Sequence, residues 1–396
     1  MIQNNELYII YGKQYRRMVR ELLQRTDLSS LIMKKCGRKD ALVTMKPNMV
    51  SSMTAEEGAT THPLILEEII RYLQENGFTN LAVMEGSWVG DLTSDAVQIT
   101  GIDRVCRKSG VPFYDLQKDS STKVDMKGME IHVCDKILES DFLINLPVMK
   151  GHCQTRMTCA LKNMKGCITN AEKRRFHRLG LHDPIGHLGA GLKQDFILVD
   201  SICSDLTMED GGNPVQQDRL MAAVDPVLCD TYVLRIMGID EEEVPYVGIA
   251  ESLGGGSMDI DHAHVTCLLE RKGEGNAKSG AQTEDGGEYF YIEGPDREKI
   301  DRSGDYTEII RQKELVQDVD SCSACYGSLI PALNELEKEG LLKNFRGRIC
   351  IGQGYRGKTG EIGIGNCTRK FKKSLAGCPP KSEEMAAFLR ENLTEK

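Results

Sequence analysis

Residues 41–84 read ALVTMKPNMVSSMTAEEGATTHPLILEEIIRYLQENGFTNLAVM, and this stretch decides the fold. Ala41 to Met45 is an apolar run of strand length. A loop follows through Gly58, and Thr60-Thr61-His62-Pro63 opens a helix, with proline placed early, where its missing N–H removes no hydrogen bond. Leu64, Ile65, Ile69, Tyr72 and Leu73 recur at helical spacing and predict its buried face. Asn76-Gly77 stops it. Leu81 to Met84 is the next strand and runs into Glu85-Gly86-Ser87. Strand, helix and strand in this order imply a right-handed crossover in a largely parallel sheet.

The same alternation continues on both sides. Leu7 to Tyr11 reads as a short strand and Tyr15 to Leu31 as a helix. Phe142 to Leu146 is a strand running into Pro147, and Phe196 to Val199 is another that ends at Asp200. Pro226 to Met237 is a helix stopped at Gly238. From Lys272 to Glu288 the chain turns polar and glycine-rich, as a surface loop or linker does. Beyond it come a predicted helix from Ser328 to Leu342, strands over 348–351 and 361–365, and a last helix from Ser382 to Leu393. Ser382 suits the N-cap of that helix, and Glu383 and Glu384 suit its first turn. The expected fold is α/β: a mainly parallel, doubly wound sheet in a core domain over residues 1–270, a polar linker over 271–315, and a smaller α/β unit over 316–396.

Fourteen cysteines are many for 396 residues. In a reducing compartment they do not read as a disulfide framework. Cys36, Cys106, Cys134, Cys153, Cys159, Cys167, Cys203, Cys229 and Cys267 lie singly among apolar residues or lack a partner at ligand spacing, and read as small buried hydrophobes. Cys322, Cys325, Cys367 and Cys378 are different: C-x2-C, forty-one residues, C, ten residues, C-P. The pair immediately precedes a predicted helix, whose N-terminal partial charge favours thiolates and an anionic cluster. Cys367 follows a strand and Cys378 precedes a helix, both positions at the carboxyl edge of a parallel sheet. Proline directly after the final cysteine recurs in iron–sulfur ligand runs. These four residues predict a 4Fe–4S cluster. Zinc is the alternative, although zinc ribbons usually place two C-x2-C pairs about 15–20 residues apart and only one such pair exists here. Cys350 alternates within an apolar strand and reads as core.

Residues 150–193 hold nine basic side chains, Lys150, Arg156, Lys162, Lys165, Lys173, Arg174, Arg175, Arg178 and Lys193, against Glu172 and Asp183. The segment is therefore +7 in a chain of −9, leaving −16 for the remainder. Such a concentration reads as a solvated basic face or an intersubunit patch, as a pocket for a phosphate or carboxylate, or as a docking site for an acidic redox partner. His152, His177, His182 and His187 accompany it. On one helix the last three would each turn about 140° from the one before, so a helical metal triad is excluded, which leaves metal binding by a looped segment as the alternative. A histidine at the sheet's carboxyl edge suits acid–base work. The glycine runs at 254–256 and 352–354 do not fit the dinucleotide fingerprint, and no P-loop pattern is present.

The net charge and a pI near 5.5 argue against a nucleic-acid partner. No apolar stretch approaches the roughly 18 residues that span a bilayer. The first residues carry neither a basic n-region nor a small-residue cleavage site, so a cytoplasmic location is expected. Abundant unpaired cysteine also suits an anaerobic host.

The segments Met45-Lys46-Pro47-Asn48, Gly58-Ala59-Thr60-Thr61-His62-Pro63, Asn145-Leu146-Pro147-Val148-Met149-Lys150-Gly151-His152, Ala160-Leu161-Lys162-Asn163-Met164-Lys165-Gly166, Asp225-Pro226-Val227-Leu228-Cys229-Asp230 and Met237-Gly238 occur in this order. Together, over roughly residues 5–270, they resemble the uncharacterised prokaryotic family called domain of unknown function 362, some members of which carry iron–sulfur modules. The resemblance draws attention to Lys150, His152, Lys162 and Asn163. The C-terminal unit departs from the two-cluster ferredoxin repeat of some members, having one set of four cysteines.

Two functions fit these readings. The first is a redox or cluster-assisted enzyme acting on a small anionic substrate. Its catalytic candidates are Lys150 and His152, and its substrate-binding candidates are Lys162, Asn163, Arg174, Arg175 and Arg178. The second is a non-enzymatic electron carrier or cluster-binding partner protein. A concave basic pocket facing the cysteines favours the first, and a convex basic patch favours the second.

Overall fold

The computed structural model describes residues 1–270, 289–292, 315–319, 321, 323–343 and 345–393. Its strands are β1 (Glu6–Tyr11), β2 (Val43–Pro47), β3 (Leu81–Glu85), β4 (Phe113–Asp115), β5 (Ser121–Met126), β6 (Met129–Cys134), β7 (Phe142–Leu146), β8 (Lys150–His152), β9 (Arg156–Thr158), β10 (Phe196–Asp205), β11 (Pro214–Ala223), β12 (His264–Glu270), β13 (Tyr289–Ile292), β14 (Val316–Asp318), β15 (Ile349–Ile351), β16 (Ile362–Ile364) and β17 (Lys373–Leu375).

A nine-stranded sheet runs in the order β13-β12-β1-β11-β10-β7-β2-β3-β4. The neighbours from β10 to β4 are all parallel, as are β12 and β1, whereas β11 and β13 run against the rest. The expected mainly parallel α/β sheet is therefore present. Helices cover both faces because the strands are apolar on both, the pattern of a buried parallel sheet. Leu7, Ala82, Met84, Leu143, Ile197 and Met221 pack with the helices over 160–191 and 226–252 on one face. Ile10, Val43, Val83, Ile144, Leu198 and Leu220 pack with the helices Tyr15–Arg25, Leu28–Cys36, Pro63–Glu75 and Ile102–Ser109 on the other.

A second sheet, β14-β15-β16-β17, is parallel throughout and belongs to the C-terminal residues. The helices Ser323–Lys338 and Ser382–Leu393 pack on it through Leu329, Leu333, Leu336, Met385 and Leu389. The expected linker over 271–315 lies outside the described residues except for residue 315 and Tyr289–Ile292, which forms the edge strand β13 beside β12.

Several boundaries differ from the sequence reading. The expected helix over 15–31 is two helices, because Asp27 adopts a left-handed conformation (φ 53°) and its carboxylate accepts from Ser30 N–H to start the second. The helix expected from Ser328 begins at Ser323. The strand expected over 196–199 continues to Asp205, paired with β11. The helices Pro63–Glu75 and Pro226–Met237 begin and end as their caps predict, and the last helix spans Ser382–Leu393 as expected, with Ser382 its first helical residue. Among the described residues, no helix is long and apolar enough to cross a membrane.

Candidate functional site

The chain runs outward from β2 through β3 to β4, then returns to place β7 on the other side of β2. That reversal opens a crevice at the carboxyl ends of β2 and β7, where open α/β sheets collect ligands. The strand ends deliver polar side chains to it. Lys46, near the end of β2, is fully buried; its ammonium pairs with the Glu85 carboxylate from the end of β3 and donates to Asn163 Oδ1 at 3.1 Å. Asn48 Nδ2 donates to the same Asn163 oxygen at 2.7 Å. Asn163 Nδ2 in turn donates to Asn145 Oδ1 at 2.6 Å, and Asn145 Nδ2 donates to Gln194 Oε1 at 2.5 Å. The amide oxygens of Asn145, Asn163 and Gln194 each accept a hydrogen bond within this web, which ties the strand ends into one geometry. Gly166 closes the web tightly, since any side chain there would collide with the Glu85 carboxylate and the Lys46 ammonium.

Above this web lies a cavity of about 420 Å³. Lys162, Lys165, Lys173, Arg174, Arg178, His152 and His177 give it a cationic lining. Met49, Val50, Trp88 and Val89 form an apolar wall, and Glu209 and Asp210 stand at one side. Lys173 is spoken for, donating to the Gly86 and Ser87 carbonyls at 2.8 and 2.7 Å. Lys162 donates to the Thr158 hydroxyl at 3.0 Å. The side chains of Lys165, Arg174 and Arg178 line the cavity with no hydrogen bond or ion pair among the described residues. Burial lowers the lysines: Lys162 and Lys173 to about 8, and Lys165 to about 7, where repulsion from Lys162 and Lys173 adds to the effect.

The segment that builds this cavity has relatives. Residues 43–235 match the family model described as Domain of unknown function (DUF362). A thylakoid-associated protein from Synechocystis sp. is 22% identical over 223 residues, which cover 54% of this chain and 68% of that protein. Among solved structures, the lactate racemase apoprotein from Thermoanaerobacterium thermosaccharolyticum is similar at 15% identity and a TM-score of 0.34, covering 50% of each chain. A protein from Thermotoga maritima is similar at 13% identity and a TM-score of 0.29, covering 77% of this chain and 61% of its own.

Within the matched segment, the residues expected from sequence divide clearly. Lys162, Asn163, Arg174 and Arg178 line the cavity, as does His152. Lys150 does not: it is fully buried behind the wall, and its ammonium donates to Asn48 Oδ1, Ala59 O and Glu209 O at 2.8, 2.5 and 2.8 Å. Burial, with repulsion from Lys162, lowers it to about 7. Arg175 also points elsewhere, pairing with Glu172 at 2.6 Å and donating to the Glu130 carbonyl at 3.1 Å. Of the other histidines, His177 joins the lining, whereas His182 stacks on Tyr246 and His187 Nδ1 lies 3.0 Å from the Met126 carbonyl oxygen.

His152 has a defined tautomer. The Gln154 and Thr155 backbone N–H groups donate to Nδ1 at 3.0 and 3.1 Å, so the neutral ring carries its proton on Nε2, which faces Glu209 Oε1 at 3.4 Å. Cys153 binds the same carboxylate, with N–H to Oε2 at 3.0 Å and Sγ to Oε1 at 3.1 Å. Burial opposes the Glu209 charge, but His152, Lys162 and the Cys153 donors outweigh it and hold this carboxyl well below its ordinary range. Asp210 goes the other way, raised to about 7 by burial and by the Glu209 charge beside it. The cavity therefore holds one firmly ionised carboxylate and one that titrates near neutrality. Sequence inspection singled out neither, nor Trp88, nor Gln353; the only signal was their position just beyond strand ends.

Gln353 comes from the C-terminal unit, just past β15, and lines the same cavity. Cys153 and Met208 of the matched segment pack into the apolar core of that unit with Tyr326 and Leu329. The helix Ser323–Lys338 comes close here, since a Cβ on Gly327 would lie 3.1 Å from Met208 Cε and 3.4 Å from Asp210 Oδ2.

Cys325 occupies the first turn of that helix, Cys367 follows β16, and Cys378 follows β17, all at the carboxyl side of the second sheet. Cys322 lies outside the described residues. The three loops are in contact. A Cβ on Gly365 would sit 3.2 Å from Cys325 Sγ, Asn366 N–H donates to Gly377 O at 2.9 Å, and Gly377 N–H returns to Asn366 Oδ1 at 3.0 Å. Gly365 (φ 85°) and Gly377 (φ 144°) hold conformations that disfavour side chains. Cys325 and Cys367 are half-buried and Cys378 is exposed. Two tighter groups of potential metal ligands occur among the described residues, His152–Cys153–Glu209 and Cys159–Cys229–Asp230, each with its ligand atoms within 4.8 Å of one another. In both, the ligand atoms are already engaged. His152 presents Nε2–H to Glu209, and both Asp230 oxygens accept backbone N–H groups, from Ala160 at 2.7 Å and Leu161 at 3.2 Å.

Proposed function

We propose that this chain is an iron–sulfur protein that binds a small anionic substrate in the cavity and carries out a redox or cluster-assisted reaction on it. The carrying observation is that the side chains of Lys165, Arg174 and Arg178 line the cavity without a partner among the described residues. Cations gathered in a crevice repel one another, and an anion relieves that repulsion more fully than water does. The apolar wall of Met49, Val50, Trp88 and Val89 suits a ligand with an apolar body attached to its carboxylate or phosphate.

The C-terminal residues fit a cluster. Cys325, Cys367 and Cys378 gather at one sheet edge from three loops, and glycine beside Cys325 leaves room that a side chain would fill. With Cys322 they would ligate a 4Fe–4S cluster, which supplies one-electron transfer when bound. The chain's own residues do the rest. The cationic lining binds and orients the anion, His152 and Glu209 keep a fixed proton arrangement, and Asp210 exchanges a proton near neutral pH. A concave site with Gln353 reaching into it from the cysteine-bearing unit favours an enzyme over a carrier that docks an acidic redox partner.

Thermal unfolding at low salt tests the anion site. Phosphate, sulfate or a dicarboxylate should raise the Tm, and Lys162→Ala with Lys165→Ala should remove the rise. An unchanged Tm in the unsubstituted protein would leave the solvated-face reading standing.

A further inference from the structure

The site holds a group with a chemistry of its own. Lys165 lies on the 3-10 turn Met164–Cys167, half-buried, and its ammonium has no hydrogen bond or ion pair among the described residues. Its cationic neighbours differ from it: Lys162 donates to Thr158 and Lys173 is held by two carbonyls. An amine set between other cations and an apolar wall is the arrangement that keeps a lysine unprotonated and nucleophilic. Hydrogen bonding to carbonyl oxygens, as at Lys173, instead holds the ammonium form.

We infer that Lys165 forms an imine with an anionic aldehyde or ketone bound in the cavity. This rests on the anion-site reading above and adds to it a substrate class and a bond. Lys165 Nζ adds its lone pair to the carbonyl carbon; the C–N bond forms as the C=O π pair moves to oxygen, which takes up a proton. Nitrogen loses one proton, and the carbinolamine then expels its hydroxyl, protonated, as water, while the nitrogen pair forms C=N. Nitrogen gives up its second proton, so one amine and one carbonyl give one imine and one water, with no oxidant or reductant. Asp210, with a carboxyl raised to about 7 in the same cavity, is placed to lend and recover the proton. Lys162, Arg174 and Arg178 hold the anionic group, and Trp88 flanks the apolar part.

The test uses the full chain isolated without oxygen, with pyridoxal 5′-phosphate as an anionic aldehyde, cyanoborohydride to reduce any imine, and peptide mapping. One adduct at Lys165 is expected, formed about tenfold or more faster than at surface lysines, whose ordinary pKa keeps them protonated. Inorganic phosphate should slow it. Lys165→Arg should lose the adduct while keeping the Tm within a few degrees of the unsubstituted protein. Adducts at Lys162 or Lys173, or spread over the surface with Lys165 unmodified, would overturn the inference. If phosphate raises the Tm but Lys165 stays unmodified, the imine fails and the anion site stands. If Lys165 reacts but phosphate neither slows it nor raises the Tm, the nucleophile stands and the anion site fails.

Discussion

Lys150 Nζ donates to Asn48 Oδ1 at 2.8 Å, joining two segments 102 positions apart in the chain. The same ammonium also caps the Ala59 and Glu209 carbonyls, so it ties β2, the loop before Pro63 and the turn after β10 into one wall. Lys150 is thus a positioning residue for Asn48 and Glu209. Each stranded buried acceptor costs about 1–3 kcal/mol, partly offset because a buried ammonium no longer has to be desolvated. Lys150→Met should lower unfolding free energy by about 3 kcal/mol, read by denaturant titration. Its effect on phosphate affinity should be smaller than that of Lys162→Met, which removes a lining charge.

The lysines give the anion site a pH dependence of definite sign. Lys162, Lys165 and Lys173 titrate at about 8, 7 and 8, below the ordinary lysine value. Affinity for sulfate, whose charge is constant over this range, should therefore be greatest below about pH 7 and fall as pH rises through the 7–8 range. Stability without the anion should move the other way. The unfolded chain binds more protons between the lowered and ordinary lysine values, so these groups destabilise the fold at neutral pH and that penalty fades as pH climbs. Calorimetric titration and thermal unfolding across this range read the two trends. Affinity that rises with pH would mean that these lysines do not meet the ligand.

Asp210 supplies a second, opposite handle. Its carboxyl is mostly neutral below its value of about 7 and charged above it. Asp210→Asn should leave phosphate affinity nearly unchanged at about pH 6 and raise it several-fold at about pH 8, where a carboxylate repelling the anion has been removed. An equal gain at both pH values would place the titration elsewhere.

Trp88 is the chain's single tryptophan and it lines the cavity. Its fluorescence should change on saturation with phosphate or a dicarboxylate, and the change should vanish in Lys162→Ala with Lys165→Ala. An emission spectrum indifferent to every anion that raises the Tm would put the binding at another site.

Much of this fold was legible because its signals are local. A parallel strand buried on both faces reads as a continuous apolar run, as in Leu81–Glu85 and Phe142–Leu146. Helix ends were legible where proline at the first position or a terminal glycine marks them, as at Pro63, Pro226 and Gly238. The misses are tertiary. The strand β11 begins with exposed and half-buried polar residues, Gln216, Gln217 and Asp218, whose pairing with β10 leaves no apolar alternation to read. The cationic half of the site was visible as a charge excess over 150–193, because its members are close in sequence. Glu209 and Asp210 follow β10, Trp88 follows β3 and Gln353 follows β15, and they meet only through the topology. Lys150 and Arg175 share the charge of their neighbours, but which way each side chain faces is fixed by Asn48 and Glu172, contacts that composition does not encode.

The most direct test of an iron–sulfur centre beside the anion cavity is iron and acid-labile sulfide analysis of protein purified without oxygen. The expected preparation is brown, with about four iron and four sulfide per chain. Cys367→Ser or Cys378→Ser should bleach it, whereas Cys106→Ser, in the core far along the chain from the second sheet, should not. A colourless protein holding one zinc per chain and no sulfide would contradict the account.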